Sequence, residues 1–314
     1  MRTPSSVGAW AALLVPVVAG ACSPERQTES LTRGEIVVSV ELSVSEVVRR
    51  SGRAFEALYP GARIRVRVAG TREAAADMFR GDADLAVVGR EPLDEEREAA
   101  TGADLEMESL RWARDAVAIV VHPDNPVEQI AFDDLQEIYT GKLISWSALG
   151  GEDARIIPVV QPPDASISLF FADRILAGGG LTAPARRAEC DSAAAAAVAG
   201  DRNAIAFVSL PFSERGVRPL RVARLKGMPY VELDAQTVYE DRYPLTRFYN
   251  VFVRRPGAPL ADGFTTYLCS IDGQREVRDA GWVPATVPVR FSTRTPTRSS
   301  REPAAREEEQ DHGP

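Results

Sequence analysis

The stretch from Arg114 to Gly151, RDAVAIVVHPDNPVEQIAFDDLQEIYTGKLISWSALGG, constrains the fold more than any other. Asp115–Val121 runs through unbroken apolar residues into His122-Pro123. Such a run reads as a strand covered on both faces, as in a parallel sheet flanked by helices. Asp124-Asn125-Pro126 is turn chemistry. Phe132-Asp133-Asp134-Leu135 then opens a short helix. Asp133 is placed to cap it, Leu135, Ile138 and Tyr139 share a face, and Gly141 is placed to stop it in the left-handed conformation.

Upstream, the same grammar repeats. Glu35–Val40 is a strand, and Ser43 with Glu46 has capping-box spacing before a helix carrying Val47, Val48, Phe55 and Leu58. Arg63–Val68 alternates strictly, so it is a strand with one apolar and one solvated arginine face. Ala69-Gly70-Thr71-Arg72 turns into a helix that stops near Gly81, and Asp84–Val88 is a third strand followed by Gly89-Arg90. Alternation of strands and helices implies an α/β fold with right-handed crossovers. Downstream, Arg155–Val160 and Asn203–Val208 read as strands, Asp191–Ala199 and Ala261–Ser270 as helices, and Arg221–Glu232 as a looser strand pair.

Several strings resemble the phosphate-binding proteins of ABC importers. They are the Asn-Pro-Val turn, Ile-Tyr-Thr-Gly-Lys at 138–142, Trp146 before Leu149-Gly150-Gly151, the GDADLAVV strand before Arg90, Tyr243-Pro244-Leu245-Thr246-Arg247, and Gly281-Trp282-Val283-Pro284. The resemblance spans about Gly34 to Val289. It implies a two-lobe periplasmic-binding-protein (type II) fold, each lobe a mixed sheet flanked by helices. Lobe 1 is expected from 34–113 plus 247–290 and lobe 2 from 114–246. It further implies a monomer that holds a small oxyanion in the cleft between lobes and serves an ABC permease.

The ends read differently. Arg2 precedes an apolar run, Ala9 to Ala19, with the layout of a secretory signal. Ala19-Gly20-Ala21-Cys22 resembles a lipobox, which makes Cys22 the lipidation site and residues 1–22 a lipoprotein-type signal peptide; a plain cleaved signal with an incidental cysteine is the other reading. Residues 23–33 form a polar tether. Residues 291–314 have almost no apolar side chains and are expected to be disordered. These features put the protein in the periplasm or at the cell surface, touching the membrane through its lipid only.

Ligands of such folds sit beyond the carboxyl ends of the strands, where helix N-termini expose unpaired amides and the positive end of the dipole. Three junctions qualify: Leu42–Ser45, Gly70–Arg72 and Asp164–Ile167. The candidate ligand-binding residues are Ser43, Val44, Thr71, Arg72, Arg90, Ser166 and Ile167. Structural duties compete for each, as caps for Ser43 and Ser166 and as surface ion pairs for Arg72 and Arg90. The family's pattern is broken at two points. Gly89 stands where an Asp or Ser is expected, and Gln161 stands where the second-lobe loop carries an Arg. A neutral amide contributes roughly half of what a charged donor does, so oxyanion binding is expected to be weaker than with an intact loop unless Arg72 or Arg90 enters.

The chain of 314 residues has formal net charge −8, so no global basic field invites nucleic acid. Only Lys142 and Lys226 are lysines. Gly-x-Ser-x-Gly, phosphate-loop and HExxH motifs are absent, and neither a cofactor nor a metal nor an enzymatic activity is expected. Cys190 and Cys269 have no readable pairing. Beside transport stands a second functional reading: a degenerate sensor or interaction lipoprotein that has lost phosphate binding.

Overall fold

The computed structural model describes residues 29–102, 105–178 and 184–285. The strands are β1 (Gly34–Glu41), β2 (Ala62–Ala69), β3 (Leu85–Val88), β4 (Glu106–Val121), β5 (Gln129–Ala131), β6 (Ile157–Val160), β7 (Arg186–Arg187), β8 (Ala204–Ser209), β9 (Arg218–Pro219), β10 (Arg221–Ala223), β11 (Thr246–Arg255) and β12 (Val283–Pro284). The helices are α1 (Ser45–Leu58), α2 (Thr71–Arg80), α3 (Asp94–Gly102), α4 (Phe132–Tyr139), α5 (Ser166–Leu176), α6 (Asp191–Ala199), α7 (Ala235–Tyr239), α8 (Pro259–Leu268) and α9 (Ile271–Asp279).

The architecture is mixed α/β, as expected. One hydrogen-bonded path runs β2-β1-β3-β11-β4-β8-β6-β7. Its outer pairs are parallel, β1 with β2 and β3 at one end, β6 with β7 and β8 at the other. The long strand β4 joins the two halves. Its first part pairs with β11 from Glu106 to Ala116, and its last five residues pair with β8. Both pairings are antiparallel, so the apolar run to Val121 is not the parallel strand that its burial suggests. Burial on both faces reports what covers a strand and carries no information about the direction of its neighbours.

Each half has its own core. Ile36, Val38, Phe55, Trp112, Tyr249 and Phe264 anchor one. Tyr139, Trp146, Phe171, Phe207, Ile130 and Tyr243 anchor the other, where the Phe171 and Phe207 rings stack 4.3 Å apart. The apolar signature stretch builds this second core: Trp146 is buried and donates its indole N–H to the Asn203 carbonyl. Burying such aromatic side chains contributes roughly 1.5–3 kcal/mol each.

Two local expectations change. The N-terminus of α4 is closed by Asp134, whose carboxylate accepts from the Ala131 amide, and not by Asp133. The capping box at Ser43 and Glu46 does not form: Leu42–Val44 is a single 3₁₀ turn, α1 begins at Ser45, and the Ser45 hydroxyl donates to the Leu42 carbonyl. Gly81 and Gly141 do adopt positive φ, 81° and 77°, where their helices stop.

The signal peptide, Cys22 and the 291–314 tail lie outside the described residues. No helix among the described residues is long and apolar enough to cross a membrane.

Candidate functional site

The carboxyl ends of β1 and β6 face each other across the junction of the two halves. A cavity of about 390 Å³ opens there, lined by Glu41, Ser43, Thr71, Gln161, Asp164, Ser166, Ile167 and Asp191 among others. The N-termini of α2, α5 and α6 all reach its wall, at Gly70-Thr71, Ala165-Ser166 and Cys190-Asp191, and none of the three carries a side-chain cap. Each such terminus presents unpaired amides and about half a positive charge.

The centre of the site is a carboxylate. Glu41, the last residue of β1, is 4% exposed. Its Oε2 accepts from the Thr71 hydroxyl at 2.9 Å and its Oε1 from the Ser166 hydroxyl at 2.7 Å. The Ser43 hydroxyl approaches Oε1 at 3.4 Å. Glu41 therefore ties the first turn of α2, in one half, to the first turn of α5, in the other. Gly89 explains why the carboxylate fits. A Cβ at position 89 would stand 2.9 Å from Glu41 Oε1 and 2.6 Å from Ser166 Oγ. The side chain missing from position 89 leaves the space that the Glu41 carboxylate fills.

The cation of the site is Arg247, in β11. Its side chain is almost fully buried, and Nε donates to Asp115 Oδ2 at 2.8 Å. Nη1 donates to Ser166 Oγ at 2.9 Å, and Nη2 to Tyr249 Oη at 2.9 Å and Ser209 Oγ at 3.2 Å. Burial works against the Arg247 charge, but Tyr249, Asp115, Glu41 and Asp191 outweigh it and hold the guanidinium above the ordinary arginine value. A buried, multiply bonded arginine is a fixed charge, and Ser166 relays its field into the cavity.

Gln161 does not face the cavity as a free amide. Its Nε2 donates to Asp191 Oδ1 at 2.9 Å and to the Phe207 carbonyl at 3.1 Å. The same Asp191 oxygen accepts from the Ser209 amide at 2.9 Å. Burial pushes the Asp191 carboxyl up, against the pull of Gln161 and the Ser209 amide.

The sequence candidates divide. Ser43, Thr71, Ser166 and Ile167 line this cavity. Val44 is fully buried in the first core, so its side chain is structural. Arg72 and Arg90 stand elsewhere, around a second cavity of about 470 Å³ on the other side of Ser166. Arg90 there forms a two-pronged pair with Glu96, at 2.8 and 2.5 Å. Neither arginine enters in place of the absent loop arginine. Sequence reasoning missed Glu41, Arg247, Asp115 and Asp191. Two signals were there: a carboxylate closing the apolar strand EIVVSVE, and an arginine set between Leu245 and Phe248 in a strand otherwise made for burial.

Among the described residues, no group of three or more His, Cys, Asp or Glu side chains could hold a metal ion. Cys190 is a free thiol.

A sequence model described as the PBP superfamily domain matches residues 25–271. The phosphate-binding protein PstS of Pseudomonas aeruginosa is 24% identical over 284 residues, covering 85% of this chain and 88% of the relative. The phosphate-binding protein PstS of Bacillus subtilis is 25% identical over 268 residues, covering 84% and 85%. Among solved structures, an ABC-type phosphate transport receptor from Vibrio cholerae superposes with TM-score 0.68 at 19% identity, covering 80% of this chain and all of the receptor. The phosphate-bound periplasmic protein PfluDING superposes with TM-score 0.64 at 14% identity, covering 80% and 90%. At these identities the superpositions speak for the two-lobe fold.

Proposed function

Because this chain belongs to the PBP superfamily, we propose that it is an extracytoplasmic solute-binding protein of the phosphate-binding kind, with its ligand seat at Glu41, Thr71, Ser166 and Arg247. The observation that carries this reading is the convergence of hydroxyls from both halves on one anionic group, with the guanidinium of Arg247 directly behind. The ligand is a small oxyanion, and the named relatives supply its class: phosphate. Segments 34–113 with 247–290 and 114–246 act as the two lobes that close on it. Delivery is to an ABC permease, from a protein anchored through Cys22. Its role is binding and not catalysis.

The two substitutions noted at positions 89 and 161 are answered from other elements. Glu41 brings a carboxylate beside Gly89, and Arg247 brings a guanidinium to the second-half hydroxyl that Gln161 cannot charge. An ionised carboxylate is acceptor-only. It tolerates a ligand oxygen that bears a proton and repels one that does not, which favours phosphate over sulfate at neutral pH.

Titration calorimetry with phosphate and sulfate tests the reading. Phosphate should bind, sulfate should bind less, and Ser166→Ala should weaken phosphate at least tenfold. Absence of heat with phosphate at millimolar concentration overturns it.

A second reading has its own observation. The Glu41 carboxylate already takes both hydroxyls, and the cavity wall carries Glu41, Asp164, Glu189 and Asp191 with no Lys, Arg or His. A dianion meets like charge there. On this reading the chain is a sensor or interaction lipoprotein whose own side chain stands in for the oxyanion. Silence of the wild type together with phosphate binding by Glu41→Gln would select it.

A further inference from the structure

The 470 Å³ cavity beyond Ser166 shares Ser166 and Arg247 with the small-oxyanion seat, and its other lining residues lie outside that seat. Five arginines reach its wall, Arg72, Arg90, Arg111, Arg174 and Arg247, against two acids, Glu91 and Asp173. Glu96 neutralises Arg90, and Asp115 neutralises Arg247. The other three remain available. Arg111 meets Glu91 at an exposed 3.2 Å contact and lies 4.3 Å over the Phe248 ring, and Arg174 meets Asp173 at 3.9 Å and lies 5.5 Å over the Phe170 ring, so their acidic partners among the described residues are exposed. Arg72 forms no ion pair with a described residue. Exposed pairs of this kind are worth little and yield readily to a competing anion.

The rest of the wall is apolar or unsatisfied. Leu93, Leu169, Phe170 and Phe248 contribute hydrocarbon surface. Asn250 also lines the cavity and is 1% exposed. Its Nδ2 donates to the Arg90 carbonyl at 2.9 Å, while its Oδ1 is buried with no partner. An acceptor left in that state is destabilising, and a ligand O–H or N–H would satisfy it. The volume suits a small organic molecule, since such pockets run from roughly 300 to 1,000 Å³.

We propose that this cavity is a second anion site, distinct from the Glu41 seat, and that it takes a small organic anion: an acidic head carrying an apolar ring. Arg72 on α2 and Arg174 on α5 hold the head from opposite halves. Leu169 and Phe170 cover the ring, and Asn250 Oδ1 accepts a proton-bearing group of the ligand. Sharing Ser166 as a wall, the two cavities are open to different ligands because one is acid-lined and the other arginine-lined.

The test uses the purified full chain, with phenyl phosphate, inorganic phosphate and benzylamine as probes in calorimetry. Arg72 and Arg174 are exposed, so Arg72→Ala, Arg174→Ala and the double variant should keep the wild-type melting temperature. Phenyl phosphate should bind the wild type, and the double variant should weaken it at least tenfold. Benzylamine should not bind. The proposal is overturned if phenyl phosphate gives no heat, if the double variant binds it as well as wild type, or if Thr71→Val and not the arginine changes removes it. The phosphate reading stands or falls separately. Binding of phenyl phosphate but never of inorganic phosphate removes that reading and keeps this one; the reverse result does the opposite.

Discussion

The two cavities that meet at Ser166 are neighbours of opposite character. One is entered past Glu41, Asp164, Glu189 and Asp191, and the other past Arg72, Arg111 and Arg174. The acid side collects three helix N-termini, whose dipoles and amides offset part of its negative charge. The arginine side has side-chain charge and apolar wall instead. Backbone donors cannot be lost by substitution, whereas side-chain charge can be moved or removed one residue at a time. The acid cavity therefore has the backbone framework of an anion site although acidic side chains line it. The arginine cavity owes its character wholly to side chains.

Four substitutions break or sharpen this contrast, and the largest effect is expected at the wall between the cavities. Arg247→Met would leave Asp115 charged, fully buried and without its guanidinium. Breaking a buried pair in this way costs about 3–5 kcal/mol, which urea denaturation would register as a lowered midpoint. A midpoint within error of wild type would mean that Arg247 does not hold the two sides apart.

Gly89→Ala would push a methyl group into the narrowest point between the cavities, 2.6 Å from Ser166 Oγ and 2.9 Å from both Glu41 Oε1 and Tyr249 Cε1. Overpacking of this kind costs about 1–3 kcal/mol. A drop in melting temperature should be accompanied by loss of the Glu41–Ser166 contact, seen as altered phosphate binding.

Glu41→Gln removes one negative charge from the acid side while keeping its shape. Phosphate affinity should fall about tenfold, a change of roughly 1.4 kcal/mol, because a neutral amide accepts the ligand's proton less strongly than a carboxylate. Tighter binding would show that the carboxylate occupies the oxyanion's own place.

The smallest effect belongs to the arginine side. Burial works to raise the Glu96 carboxyl, but the Arg90 fork and the Leu93 amide outweigh it and hold its pKa below the ordinary 4.5. A depressed carboxyl adds stability above its unfolded pKa, and that stability is lost as pH falls through the folded value. Glu96→Gln should therefore lower stability modestly at neutral pH, since Arg90 keeps a neutral partner in place of a charged one. It should also lose less than wild type when urea midpoints are followed from about pH 6 down to pH 3.

Local chemistry made much of the fold readable. The strands at 35–40, 63–68 and 203–208 and the helix at 191–199 follow from period and capping, because burial of one face leaves its period in the chain. The hydroxyls of Thr71 and Ser166 were legible as first-turn residues at strand-to-helix junctions. Ser43 was read as a cap, yet its hydroxyl turns to Glu41 because the chain enters α1 through a 3₁₀ turn.

By itself the sequence determined the element types, the apolar faces and the family membership, since each depends on residues near one another in the chain. Tertiary structure alone decided which charges share a cavity. Glu41 and Ser166 lie 125 positions apart, and Arg247 lies 132 from Asp115. No periodicity spans such distances. The pairing of β11 against β4 sets Arg247 beside Asp115, and the close approach at Gly89 lets a carboxylate from β1 reach a hydroxyl of α5. Arg72 and Arg90, adjacent in sequence to the expected site, were turned away from it because the strand and helix ends that carry them open onto the other side of Ser166.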